Sequence, residues 1–149
     1  MVCMETYRDH STRRVLLAVD QRTTANGSVD EAIRLARDER ADLIVLSVLE
    51  PSNLRLPGGL TRRVDQERDR LETGARTIVS RAREAGVSAT YLIWEGDPAE
   101  TILEASSAER ADVIVLGSRP RTDLRKLFLG SVSTHVTRTA SCQVIVVPN

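Results

Sequence analysis

Five short apolar runs punctuate the chain: VLLAVD at 15–20, LIVLSVLE at 43–50, SATYLIWE at 88–95, VIVLGS at 113–118 and QVIVVPN at 143–149. Four of them string Val, Ile and Leu together instead of alternating with polar residues, the pattern of strands covered on both faces. Between the runs the period becomes helical. Val29, Ala32, Ile33, Leu35 and Ala36 share one face of 28–39. Val64, Leu71, Ala75, Ile78, Val79 and Ala82 share one face of 60–85, with Gly86 placed to end that helix. In GDPAETILEAS, Asp97 is set to cap a helix, Pro98 fits its first position, and Glu100 can reach back to complete a capping box. A final helix is expected over 131–140.

Strand and helix therefore alternate from end to end, which predicts an α/β domain with one parallel sheet and helices on both faces. Right-handed crossovers place strand 15–20 at its centre, among 43–48, 88–94, 113–117 and 143–147. ERADLIVL at 39–46 and ERADVIVL at 109–116 differ at one position. Each joins a helix end to a buried strand. The echo reads either as the trace of two similar βαβ halves or as one local solution reached twice.

The chain has 149 residues, one ordinary domain, expected to span 13–149 behind a flexible tail at 1–12. Acidic and basic residues balance at 21 each, so charge gives no argument for nucleic acid. Nearly all the cations are arginine, with Lys126 the only lysine, and a bias that general lowers the meaning of any one arginine. Aromatic residues are too scarce for a base-stacking platform along a single strand. Cys3 and Cys142 are too few and isolated for a metal site or disulfide framework, and no apolar run reaches the ~20 residues of a membrane span. A cytoplasmic protein with no membrane contact is the expectation. QVIVV would lie at a sheet edge, where an uncovered apolar strand invites pairing with a second copy, so a homodimer through 143–147 is expected.

In an open parallel sheet, ligands bind beyond the carboxyl ends of the strands, where strand order reverses. Asp20, Val48 and Gly117 fall at such ends. Asp20 can accept a hydrogen bond from a ribose hydroxyl and Val48 can pack on a base, although an Asp opening a polar turn and a Val filling the core are the commoner uses of such residues. GSRPRTDLRKLFLGS, 117–131, gathers glycines, cations and serines in one connection. Gly130, Ser131, Val132 and Ser133 open the last helix, whose free N–H groups and dipole suit a phosphate. Elsewhere the chemistry is sparse. There is no Walker-type or GxGxxG loop and no nucleophile elbow. His10 and His135 read as solvated or packed, Cys142 as a small buried hydrophobe, and Asp65, Glu67, Asp69 and Glu72 as a solvated face interleaved with arginines. No base, nucleophile or metal cluster emerges, so catalysis is not expected.

VLLAVD, GDPAETILEAS and, above all, Gly117-Ser118-Arg119-Pro120 followed by nine residues and Gly130-Ser131 resemble the universal stress protein family, over 14–147. The family pattern there is Gly-x-x-Gly, nine residues, then Gly and Ser or Thr. The resemblance implies a flavodoxin-like (Rossmann-like) five-stranded parallel sheet of order 3-2-1-4-5, dimerisation, and, in one branch, ATP binding with Mg2+ accompanying the triphosphate. Carried over residue by residue, Asp20 would hold the ribose and Val48 the adenine, while Gly117, Arg119, Gly130, Ser131, Val132 and Ser133 would line the phosphates. Two positions depart from the pattern: Ala18 stands where proline is frequent, and Pro120 replaces the second glycine. Proline has no N–H to donate, so a weakened grip on phosphate is expected. The functional expectation is a stress-response regulator that binds ATP or a related adenine nucleotide. The alternative is a nucleotide-independent dimeric interaction module of the same fold.

Overall fold

Val15, Leu16 and Leu17, consecutive in strand β1 (Arg14–Val19), are all fully enclosed, which requires cover on both faces and neighbours on both edges. The computed structural model describes residues 13–19, 27–51, 60–118 and 130–148. Within these, β1 is followed by α1 (Gly27–Glu39), β2 (Asp42–Leu49), α2 (Leu60–Glu84), β3 (Ala89–Glu95), α3 (Pro98–Ala108), β4 (Val113–Ser118), α4 (Ser131–Thr139) and β5 (Gln143–Pro148). The strands form one parallel sheet, order β3-β2-β1-β4-β5. The fold is the α/β parallel sheet read from the sequence pattern, with β1 central, in the flavodoxin-like order that the family resemblance implies.

Two cores sandwich the sheet. Val15, Leu17, Val45 and Val115 point to the face where α1 contributes Val29, Ala32, Ile33 and Ala36, and α2 contributes Ala75, Ile78, Val79 and Ala82. Leu16, Leu46, Ile114 and Leu116 point to the other, with Ala99, Ile102 and Ala105 of α3 and Val136 of α4. The change of face follows from chirality. Right-handed crossovers run outward from β1 through α1 and α2, then return past it to β4, so the later helices must lie opposite.

The echoed ERAD segments explain how β1 acquires two neighbours. After α1, Ala41 N–H bonds to Ala36 O at 2.8 Å, and after α3, Ala111 N–H bonds to Ser106 O at 2.8 Å. These are Schellman closures, and the residue at the left-handed position is an arginine in both, Arg40 at φ 54° and Arg110 at φ 53°. The next residue starts the docking: Asp42 N–H donates to Arg13 O and Asp112 N–H to Arg14 O, each at 2.8 Å. One segment thus lays β2 along one side of β1 and the other lays β4 along its opposite side. α2 closes in the same way, Val87 N–H to Ala82 O at 2.9 Å, with Gly86 at φ 84° and an unrelated sequence. The echo therefore marks a recurrent local geometry.

Two polar readings change. Glu100 N–H does bond to the Asp97 carboxylate at 3.2 Å, but the Glu100 side chain does not return to the cap. It reaches His135 Nε2 on α4, at 2.9 Å, because α3 and α4 pack side by side. On α2 the expected solvated face is partly engaged: Tyr91 Oη donates to Glu72 at 2.7 Å, Arg76 bonds both of them, and Glu67 Oε1 is buried with no partner among the described residues. Tyr91 and Glu72 hold the Arg76 guanidinium above its usual pKa.

Candidate functional site

Every helix in this sheet starts at the carboxyl edge of the strands, so helix N-termini and strand ends collect there. At that edge the order of strands makes β2, β1 and β4 consecutive. Val48 lies one residue past the last β1–β2 pair, Val19 with Ser47, and remains half-buried while Leu46 and Leu49 beside it are sealed. Gly117 and Ser118 end β4, opposite Val147 and Pro148, and both are half-buried. Val48, Gly117 and the first turn of α4 thus share one edge of the sheet. Asp20 and Arg119, with Pro120, lie outside the described residues.

The N-termini of α3 and α4 differ. At α3 the Asp97 side chain accepts from Glu100 N–H, so the cap is internal. At α4 the N-cap is Gly130, which offers no side-chain acceptor, and the first helical bond runs from Thr134 N–H to Gly130 O at 3.0 Å. The N–H groups of Ser131, Val132 and Ser133 precede that bond, as the leading N–H groups of any α-helix do. Ser131 is exposed, Val132 half-buried and Ser133 buried. Of the two hydroxyls expected at the phosphate, the exposed one is Ser131.

Gly130 has φ −57° and ψ 164°, a conformation open to any residue, and a Cβ placed on it would meet nothing within 4 Å among the described residues. Gly96 is a different case. There φ is +151° and a Cβ would lie 2.7 Å from Thr101 Oγ1, so backbone and packing both require glycine. Neither reason applies at Gly130. Among the described residues, the backbone at the start of α4 is left open to approach at this point.

The other sequence candidates have local roles. His135 pairs with Glu100. Cys142 is half-buried beside the α3/α4 core, and burial pushes its thiol pKa up, as suits a small hydrophobe. A recess of about 200 Å³ lies at the opposite, amino edge of the sheet, lined by Arg37, Arg40, Asp42 and Ser88 among others. The C-termini of α1 and α2 face it, and their dipoles disfavour an anion. Trp94 was not singled out from the sequence. Only its register opposite Val48 places it at the carboxyl edge.

A sequence model of the Universal stress protein family matches residues 11–148. Among individual relatives, a universal stress protein of Thermus aquaticus is 36% identical over 141 residues, covering 91% of this chain and 98% of that one. The solved structure of universal stress protein UspA from Lactobacillus plantarum superposes with a TM-score of 0.79 at 25% identity, covering 91% of this chain and 97% of that one. The universal stress protein from Archaeoglobus fulgidus, solved in complex with dAMP, has the same fold, with a TM-score of 0.69 at 23% identity and coverage of 90% and 96%.

Proposed function

Because the chain belongs to the universal stress protein family, we propose that it is a stress-response regulator whose 13–149 domain binds ATP or a related adenine nucleotide at the carboxyl edge of the sheet. Gly130 carries this reading. Neither its backbone angles nor its described surroundings call for glycine, whereas a phosphate drawn to the N–H groups of Ser131, Val132 and Ser133 would call for one. A relative of this fold holding dAMP supports the choice of ligand class.

In this reading the nucleotide lies across the reversal of strand order. Val48 packs against the adenine, Asp20 accepts from the ribose, and Gly117, Arg119 and the α4 turn receive the phosphates. Mg2+ would enter with a triphosphate and neutralise part of its charge. No group of three or more potential metal ligands occurs among the described residues, so the ion would be held chiefly by the phosphates. The role is binding, with the nucleotide biasing the shape or the partners of the protein.

The same reading includes a homodimer through β5. The opposite edge of the sheet is dressed by α2: Arg83 donates to Ala89 O at 3.0 Å and Arg76 and Glu72 hold Tyr91. No comparable side-chain bond meets the β5 backbone among the described residues, and Val144 to Val147 are only half-buried. An apolar edge of that kind favours a two-fold partner. The alternative, a dimeric module without nucleotide, draws on Pro120, which removes a donor from the loop.

Protein purified under native conditions, denatured and examined by mass spectrometry for released adenine nucleotide tests the reading. Stoichiometric release supports it. A nucleotide-free preparation that also takes up none when incubated with ATP, in both the original and the Pro120→Gly protein, favours the alternative.

A further inference from the structure

On the face covered by α3 and α4 the inner rows of the sheet are sealed: Leu16, Leu46 and Ile114 are fully enclosed. Toward the carboxyl edge the cover thins. Ala18, Val48 and Trp94 lie on this same face and are all half-buried. Ala18 and Val48 are short side chains and make a low floor. Trp94 is directly opposite Val48 in the β2–β3 register, on the outermost strand, and is packed against the same apolar cluster. It is the only tryptophan in the chain. A β-branched residue would complete an edge strand here without leaving aromatic surface at the solvent boundary.

We infer that Trp94 is a base-contacting residue of the nucleotide site, packing its indole against a purine seated on Val48. The inference rests on the adenine-nucleotide reading and adds to it a residue from a strand that contributes none of the sites expected from sequence. A planar heteroaromatic base is the ligand chemistry that a short aliphatic floor and an aromatic wall accept together. A purine presents the larger face to such a wall than a pyrimidine does. The contact concerns the base alone, so it is shared by adenosine and ATP.

Adenosine titrated into the full-length protein, with Trp94 emission followed alongside calorimetry, tests this, since the single tryptophan makes the signal unambiguous. A saturable emission change whose midpoint matches the calorimetric one is expected. Trp94→Ala should weaken adenosine and ATP alike, by about tenfold or more, and Trp94→Phe should recover most of the loss. Equal loss on the two ligands separates a base contact from a phosphate contact. Emission that stays flat while adenosine binds, or Trp94→Ala that binds as tightly as the original, overturns the inference and leaves the nucleotide reading standing. If neither adenosine nor ATP produces heat with the unmodified protein, the nucleotide reading fails and the inference falls with it.

Discussion

Gly130→Ala separates the two reasons a glycine can occupy a helix start. At φ −57° and ψ 164° alanine fits without strain, and its methyl group meets nothing within 4 Å among the described residues. Two small terms act on stability. Reduced freedom of the unfolded chain adds about 0.4–1 kcal/mol, and alanine is a poorer N-cap than glycine by a similar amount. The net change should stay within about 0.5 kcal/mol, less than the typical mutational effect of about 1 kcal/mol. Binding should respond far more. A methyl group at the closest point of phosphate approach displaces at least one charge-assisted hydrogen bond, about 1.5–3 kcal/mol, which corresponds to a ten- to hundredfold loss of affinity. The assay is a denaturant melt paired with calorimetry for ATP and adenosine. ATP should weaken while adenosine and stability hold. A stability loss beyond about 2 kcal/mol would show that the glycine is required by the fold, and unchanged ATP affinity would show that no phosphate approaches it. Either result refutes the reasoning.

Other substitutions probe the same account. Arg110→Gly and Arg40→Gly should each stabilise by about 0.5–1 kcal/mol, because a left-handed L-residue costs about 1–2 kcal/mol and glycine returns part of that through the unfolded chain. A lowered melting temperature in either would contradict the assignment of those closures. Gly96→Ala should destabilise by about 1–3 kcal/mol, since φ +151° and the 2.7 Å approach to Thr101 Oγ1 both oppose a methyl group; a melt indistinguishable from the original would count against it. Pro120→Gly should tighten ATP more than adenosine by restoring a backbone donor, and equal tightening of both ligands in calorimetry would place its effect elsewhere. Val146→Lys should shift light scattering from twice the chain mass to once. Val146 also packs on the α3/α4 core, so the result counts only if circular dichroism shows a folded monomer, and a folded dimer would remove β5 from the interface.

How much of this was legible in the sequence depends on the range of the forces involved. The strands and the central place of β1 were readable, because runs such as VIVLGS call for cover on both faces and chirality then leaves few arrangements; the full order 3-2-1-4-5 came from the family resemblance. The helix faces were readable for the same reason: the residues picked out on α1 are buried there, apart from the half-buried Leu35. Arg40 and Arg110 were not. Left-handed closures are usually announced by glycine, as at Gly86, and an arginine in that conformation carries no local signal. The Glu100–His135 pair was hidden because it depends on how two helices pack, while the capping-box spacing that Glu100 also satisfies is purely local. Trp94 illustrates the limit most directly. Its position in the strand was clear, but its place beside Val48 is a matter of register between β2 and β3, which one strand's own pattern does not contain.

The central claim is that the carboxyl edge between β2 and β4 holds an adenine nucleotide by both its ends. Calorimetry on the unmodified full-length protein with ATP, AMP and adenosine tests it most directly. The account predicts saturable binding of all three at a single site, with ATP tighter than adenosine by only a modest factor, because Pro120 weakens the phosphate end while the base and ribose contacts persist. Absence of binding for all three at millimolar concentration, roughly −4 kcal/mol in free energy, would contradict the claim.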